Sequence, residues 1–121
     1  MKKVVLVDDN KEFLGLLKSI VEFGTDMNCI TFANPNDALR YILDEKEIYA
    51  VVTDFEMPEM NGFRLVKQVL SKLPTTKVIV ISVHDTGYLE KVALDYEINK
   101  DKVKFLSKLN LVNLLYMLIN H

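Results

Sequence analysis

Four short apolar runs, rich in β-branched residues and each closing on a polar or charged side chain, constrain this chain more than any other feature. Val4-Val5-Leu6-Val7 runs into Asp8-Asp9, and Ala50-Val51-Val52-Thr53 into Asp54. Val78-Ile79-Val80-Ile81 runs into Ser82, and Val103-Lys104-Phe105-Leu106 leads through Ser107 into Lys108. Such runs read as strands, and their near-continuous apolarity marks strands buried on both faces of a parallel sheet. Helix-period segments fill the intervals, the alternation expected of an α/β fold whose sheet is covered on both sides.

In an open α/β sheet the carboxyl ends of the strands border the crevice where ligands bind. Asp8, Asp9 and Asp54 should therefore meet in one place. Close like charges raise one another's pKa unless a cation neutralises them, and three oxygen donors suit a hard divalent ion, Mg2+ above all. Ser82 and Lys108 bring a hydroxyl and an ammonium to the same edge, and this set suits a phosphoryl group held against a metal. Asp54, alone at its strand end, can be the nucleophile, since aspartyl carboxylates form acyl-phosphate intermediates. Lys108 would neutralise phosphoryl oxygens, and Ser82 would donate a hydrogen bond to one.

The motifs Asp8-Asp9, Asp54-Phe55-Glu56-Met57-Pro58-Glu59-Met60-Asn61-Gly62, Ser82 and Phe105-Leu106-Ser107-Lys108, in this order at successive strand ends, resemble the receiver domain of two-component response regulators. The resemblance covers the whole chain. It implies phosphorylation of Asp54 by the phosphohistidine of a histidine kinase or phosphotransfer protein. It also implies Mg2+ bound by the side chains of Asp9 and Asp54, by the backbone carbonyl of Glu56 and, through water, by Asp8. Ser82 matches the family's switch hydroxyl, Phe105 its switch aromatic and Lys108 the lysine that contacts the phosphoryl group. The output partner would bind the face formed by the fourth helix, last strand and fifth helix, and phosphorylation can drive dimerisation in such proteins. A domain of this kind is a switch that promotes its own phosphorylation and dephosphorylation, not an enzyme acting on another substrate.

Three departures from the family pattern stand out. Leu109 follows Lys108 where the family usually has a cis proline; a non-proline cis bond costs about 2.5–4 kcal/mol, so a trans peptide is expected. Val83 replaces a usual Ala or Gly after the switch serine and is expected to crowd the approach to Asp54. Glu97-Ile98-Asn99-Lys100-Asp101-Lys102 replaces a short Gly-Ala connection, giving an unusual output surface. Two alternatives use the same residues differently. A haloacid-dehalogenase-like phosphatase also has a strand-end Asp, Mg2+, a hydroxyl and a Lys, but its Asp-x-Asp motif is absent. A pseudo-receiver would keep the fold as an interaction module and leave its acids without metal.

Plainer roles compete residue by residue. Asp9 or Asn10 could cap the first helix, Ser82 could cap the turn into the fourth, and Phe105 could simply fill core. Lys108 alone would be a solvated surface lysine. His84 reads as a loop histidine near the site with no chemical role of its own.

At 121 residues, half of them apolar, the chain suffices for one core, so one domain over residues 1–121 is expected. The strand order should be flavodoxin-like. A net charge of −2 supplies no basic footprint for nucleic acid. The lone Cys29 reads as core, and a chain without an internal disulfide pair suits a reducing compartment. Apolarity after Met1-Lys2-Lys3 stops at Asp8, too soon for a secretory leader, and no run spans a membrane. A cytoplasmic location is expected. Helical spacing assigns Phe13, Leu14, Leu17, Ile20, Val21 and Phe23 to the inner face of the first helix, with Gly24 as its C-cap. Asn34-Pro35 opens the second. The third, from Gly62, carries Phe63, Leu65, Val66, Val69 and Leu70, and the fourth runs from Thr86 to Tyr96. The fifth, from Asn110, should bury Leu111, Leu114, Leu115, Leu118 and Ile119.

Overall fold

The computed structural model describes residues 2–45 and 47–120; Met1, Lys46 and His121, and with them the two ends of the expected 1–121 domain, lie outside the described residues. In chain order the elements are β1 (Lys3–Val7), α1 (Lys11–Gly24), β2 (Asn28–Phe32), α2 (Pro35–Asp44), β3 (Ala50–Asp54) and α3 (Gly62–Lys72). There follow β4 (Lys77–Ser82), α4 (Thr86–Asp95), a single 3-10 turn (Lys100–Lys102), β5 (Val103–Ser107) and α5 (Val112–Ile119). All strands pair in parallel, in the order β2-β1-β3-β4-β5. This is the expected flavodoxin-like arrangement, with the chain reversing direction across the sheet between β1 and β3.

Alternation along each strand divides the core in two. Val5, Val7, Val51, Val78 and Val80 face α2, α3 and α4 through Ile42, Phe63, Val66, Val69, Leu89 and Ala93. Val4, Leu6, Val52, Ile79, Ile81 and Leu106 face α1 and α5 through Leu14, Leu17, Val21, Leu114 and Leu118. Burial on both sides is what makes the strand runs read as unbroken hydrophobic sequence. Cys29 is only half-buried, because β2 is an edge strand, and burial still pushes its thiol up to about 11.

The caps resolve several open roles. Asn10, not Asp9, caps α1, its side chain accepting from the Phe13 N–H at 3.1 Å. Asp85, not Ser82, caps α4, accepting from Tyr88 N–H at 2.9 Å. Asn34 caps α2 with Pro35 behind it, as expected, and Asn61 caps α3. Neither Asp9 nor Ser82 serves as a helix cap.

Three helix assignments change. Phe23 is 94% exposed: it follows the inward Val21 by two residues, about 200° around the helix, and so faces away from the sheet. Gly24 is the last helical residue rather than a positive-φ cap. Its missing side chain has another reason, since a Cβ there would lie 2.4 Å from Leu115 of α5. The fifth helix begins at Val112 rather than Asn110, and Ile119 is 53% exposed while Leu114 and Leu118 are buried. The last carbonyls of α5 are held from outside the helix: the Lys77 ammonium donates to Met117 O at 2.9 Å and Asn120 O at 2.7 Å. The Lys108–Leu109 peptide is trans, and no cis peptide occurs among the described residues. In the connection before β5, Glu97 takes a positive φ of 58°, Ile98 tucks into the core, and Asn99 caps the 3-10 turn.

Candidate functional site

Asp54 is the last residue of β3 and Ser82 the last of β4, while Asp8 and Lys108 directly follow β1 and β5. The parallel register brings these four side chains to one edge of the sheet. Carboxylate oxygens of Asp8, Asp9 and Asp54 all lie within 4.8 Å of one another. Asp8 is 1% exposed and Asp54 7%, whereas Asp9 is open to solvent. Lys108 Nζ reaches between them, 3.3 Å from Asp8 Oδ2 and 3.4 Å from Asp54 Oδ1. The ammonium also lies over the Phe13 ring, whose centroid is 4.4 Å from Nζ.

These neighbours set the electrostatics. Burial first, then the Asp8 carboxylate, push the Asp54 pKa up to about 6, and the Lys108 ammonium only partly offsets them. Burial also raises Asp8, against the opposing effect of the Asn10 N–H, which donates to Asp8 Oδ1 at 2.9 Å, and of Lys108. The other oxygen, Asp8 Oδ2, is buried and makes no hydrogen bond. A buried carboxylate oxygen with no hydrogen bond and only the Lys108 ammonium at 3.3 Å beside it, in an all-oxygen cluster of acids, fits a hard divalent cation, and the three expected side chains are the ones brought together.

The loop after β3 returns tightly to the strand end. Gly62 N–H donates to Phe55 O at 2.7 Å, and a Cβ on Gly62 would lie 2.6 Å from the Asp54 carbonyl oxygen and 3.1 Å from Phe55 Cα. Only glycine fits, because both obstructing groups are backbone. Gly62→Ala should therefore destabilise the fold by about 1–3 kcal/mol and displace Asp54, which urea unfolding and phosphoryl labelling would both register. Unchanged stability and labelling would show that the loop relaxes freely.

Ser82 is 1% exposed, and its Oγ accepts from the His84 N–H at 3.0 Å. Phe105 is half-buried, edge-on to Phe63 at 6.0 Å and 88°, so its expected packing role is met. It also lines a groove of about 510 Å³ with Thr86, Glu90, Lys104, Tyr116 and Met117, between α4 and α5. A larger groove of about 1100 Å³, lined by Lys3, Glu45, Ile48, Tyr49, Leu73 and Lys77, lies at the amino ends of the strands, away from the cluster of Asp8, Asp9 and Asp54. Val83, expected to crowd the approach to Asp54, is 69% exposed. Its methyl groups are not packed in a channel, and the side chain of that loop that reaches across is His84. The His84 Nε2 meets the Glu56 carboxylate. That contact escapes sequence reasoning because Glu56 and His84 are 28 residues apart and neither stands in a spacing that signals the other.

The response regulator receiver domain profile matches residues 4–116. The chain belongs to the response regulator receiver family. Among curated relatives, this receiver is 27% identical over 111 residues to a protein-glutamate methylesterase/protein-glutamine glutaminase of Burkholderia thailandensis, covering 87% of the chain and 31% of that protein. It is 32% identical over 81 residues to the DNA-binding transcriptional regulator NtrC of Salmonella typhimurium, covering 67% of the chain and 17% of the relative. The receiver spans about a third or less of the length of such relatives. Among solved structures, chemotaxis protein CheY4 of Vibrio cholerae superposes with a TM-score of 0.82 at 22% identity, covering 98% of this chain and 96% of that one. A receiver domain from Clostridium thermocellum gives a TM-score of 0.81 at 21% identity, covering 98% and 91%. The two structural likenesses speak for the fold. A receiver is a signalling switch, and the enzyme named among its relatives is about three times its length. Among the described residues no helix is long and apolar enough to cross a membrane.

Proposed function

We propose that this receiver accepts a phosphoryl group on Asp54 from the phosphohistidine of a histidine kinase or phosphotransfer protein. The state of Asp54 is then passed through Ser82 and Phe105 to the face made by α4, β5 and α5. The observation that carries this reading is the placement of Asp54: nearly buried at a central strand end, 3.4 Å from the Lys108 ammonium and beside two further acids. An Asp54 carboxylate oxygen attacks phosphorus, the bond from phosphorus to the donor nitrogen breaks, and the departing imidazole keeps the electron pair. Lys108 neutralises the charge gathered on the phosphoryl oxygens, and the Ser82 hydroxyl donates to one of them. Asp9 and Asp54 would hold Mg2+ by their side chains, Glu56 by its carbonyl and Asp8 through water. The ion would supply positive charge against the same oxygens and relieve the repulsion among the acids.

Residues 1–121 act as one domain in this reading, the location is cytoplasmic, and the output partner docks on the α4-β5-α5 face, where a second copy can also bind after phosphorylation. The switch speeds its own labelling and hydrolysis and turns over no separate ester, which sets it apart from the phosphatase alternative. The test is intact mass after acetyl phosphate treatment with and without Mg2+. A gain of one phosphoryl group that requires the ion supports the reading, and its absence under both conditions overturns it. Metal binding is checked separately: Asp9→Ala should weaken Mg2+ binding, read by calorimetry, by on the order of tenfold or more, since affinity follows the number of ligand charges. An unchanged affinity would remove Asp9 from the ligand set.

A further inference from the structure

His84 is engaged at both ends. Its backbone N–H donates to Ser82 Oγ at 3.0 Å, and its ring Nε2 meets the Glu56 carboxylate. Tyr88 flanks the ring, 4.8 Å away between centroids at 39°, and Phe55 packs edge-on at 5.9 Å and 87°. Ser82 and His84 belong to the end of β4 and the loop beyond it, whereas Phe55 and Glu56 follow Asp54 directly in the loop after β3. One residue therefore ties the hydroxyl beside the acids to the loop on the other strand end. The His84 and Glu56 side chains are 36% and 64% exposed. A contact so open to water adds little to folding, yet it is enough to bias two arrangements of the same loop.

We propose that His84 is a positioning residue whose clasp on Glu56 holds the Ser82 hydroxyl in its resting place, so that drawing Ser82 toward a phosphoryl group on Asp54 breaks the clasp. This rests on the reading of Asp54 as phosphoacceptor. The hydrogen bond from Ser82 to the phosphoryl group belongs to the switched arrangement, and the clasp belongs to the resting one. A group shifts such an equilibrium only by interacting differently with its two states. Loss of the clasp thus favours the switched arrangement even without a phosphoryl group. Phe105 serves as a second reporter: it pairs with Val80 on β4, two residues before Ser82.

The experiment compares amide resonances of the parent, His84→Ala, Glu56→Ala and the double variant, each with Mg2+, before and after acetyl phosphate. Before treatment, the Ser82 and Phe105 resonances of each single variant should lie on the line toward the phosphorylated parent. The ratio of switched to resting form should rise by about twofold to fivefold, the worth of an exposed pair of this kind. The double variant should move no further, since both single changes break the same contact. His84→Gln, whose amide can still reach Glu56, should restore part of the parent position, which simple loss of packing would not do. Resonances that stay at the parent position, or shifts that add in the double variant, overturn the proposal. Failure of the phosphoacceptor reading appears separately, as a parent that gains no phosphoryl mass. In that case equal, non-additive shifts of Ser82 still support the clasp, and absent or additive ones overturn it.

Discussion

Asp54→Asn is expected to take up no phosphoryl group from acetyl phosphate, with or without Mg2+, as read by intact mass. The amide is nearly the same size as the carboxyl, so the fold survives while the nucleophile is lost. Asp8 and Asp9 do not substitute for it. Asp8 is committed by one oxygen to the Asn10 N–H and faces Lys108 with the other. Asp9 is exposed and lacks the lysine contact that Asp54 has. Labelling retained in Asp54→Asn at the parent level would place the phosphoryl group elsewhere and sink the assignment.

The same substitution should stabilise the protein near neutral pH when a chelator removes divalent ions. Burial and the Asp8 carboxylate raise Asp54 from the ordinary 3.8 to about 6. Its protonated form is therefore favoured in the folded state. The stability this contributes is fully present below about pH 4 and is lost as pH rises through about 6. Above that, folding carries the penalty of an ionised carboxylate in a crowded acidic site, and asparagine does not. The stabilisation expected near pH 7 is as much as about 3 kcal/mol, shrinking toward zero by about pH 4. Asp8, raised in the same direction by burial, adds to the slope of the parent. Mg2+ should narrow the gap by stabilising the parent more than the variant. Urea unfolding in chelator across this pH range decides it, and a variant less stable than the parent at pH 7 would show that the acids are not in conflict.

The sequence by itself determined the sheet and which polar side chains stand at its carboxyl edge. The central strands β1, β3 and β4 are apolar for most of their length and buried on both faces, so Asp8, Asp54 and Ser82 stand out where the chain leaves them, and Lys108 stands in the corresponding place after β5. Asn34-Pro35 likewise declares a helix start, because capping is local. Wherever the reading depended on which neighbour a helix would meet, it needed the tertiary structure. Apolarity placed Phe23 and Ile119 in the core, but helix rotation relative to the sheet, set by Leu14, Leu17 and Val21 in one case and Leu114 and Leu118 in the other, turned them outward. In the sequence Gly24 reads as a helix C-cap and Gly62 as the start of the third helix. Each also meets a close approach, Gly24 of the Leu115 side chain and Gly62 of the Asp54 backbone, and the second leaves room for glycine alone. His84 and Glu56 meet only because parallel pairing of β3 with β4 sets their two loops side by side. Composition and period are properties of a segment, whereas these contacts are properties of the distance between segments, which is decided only when the core packs.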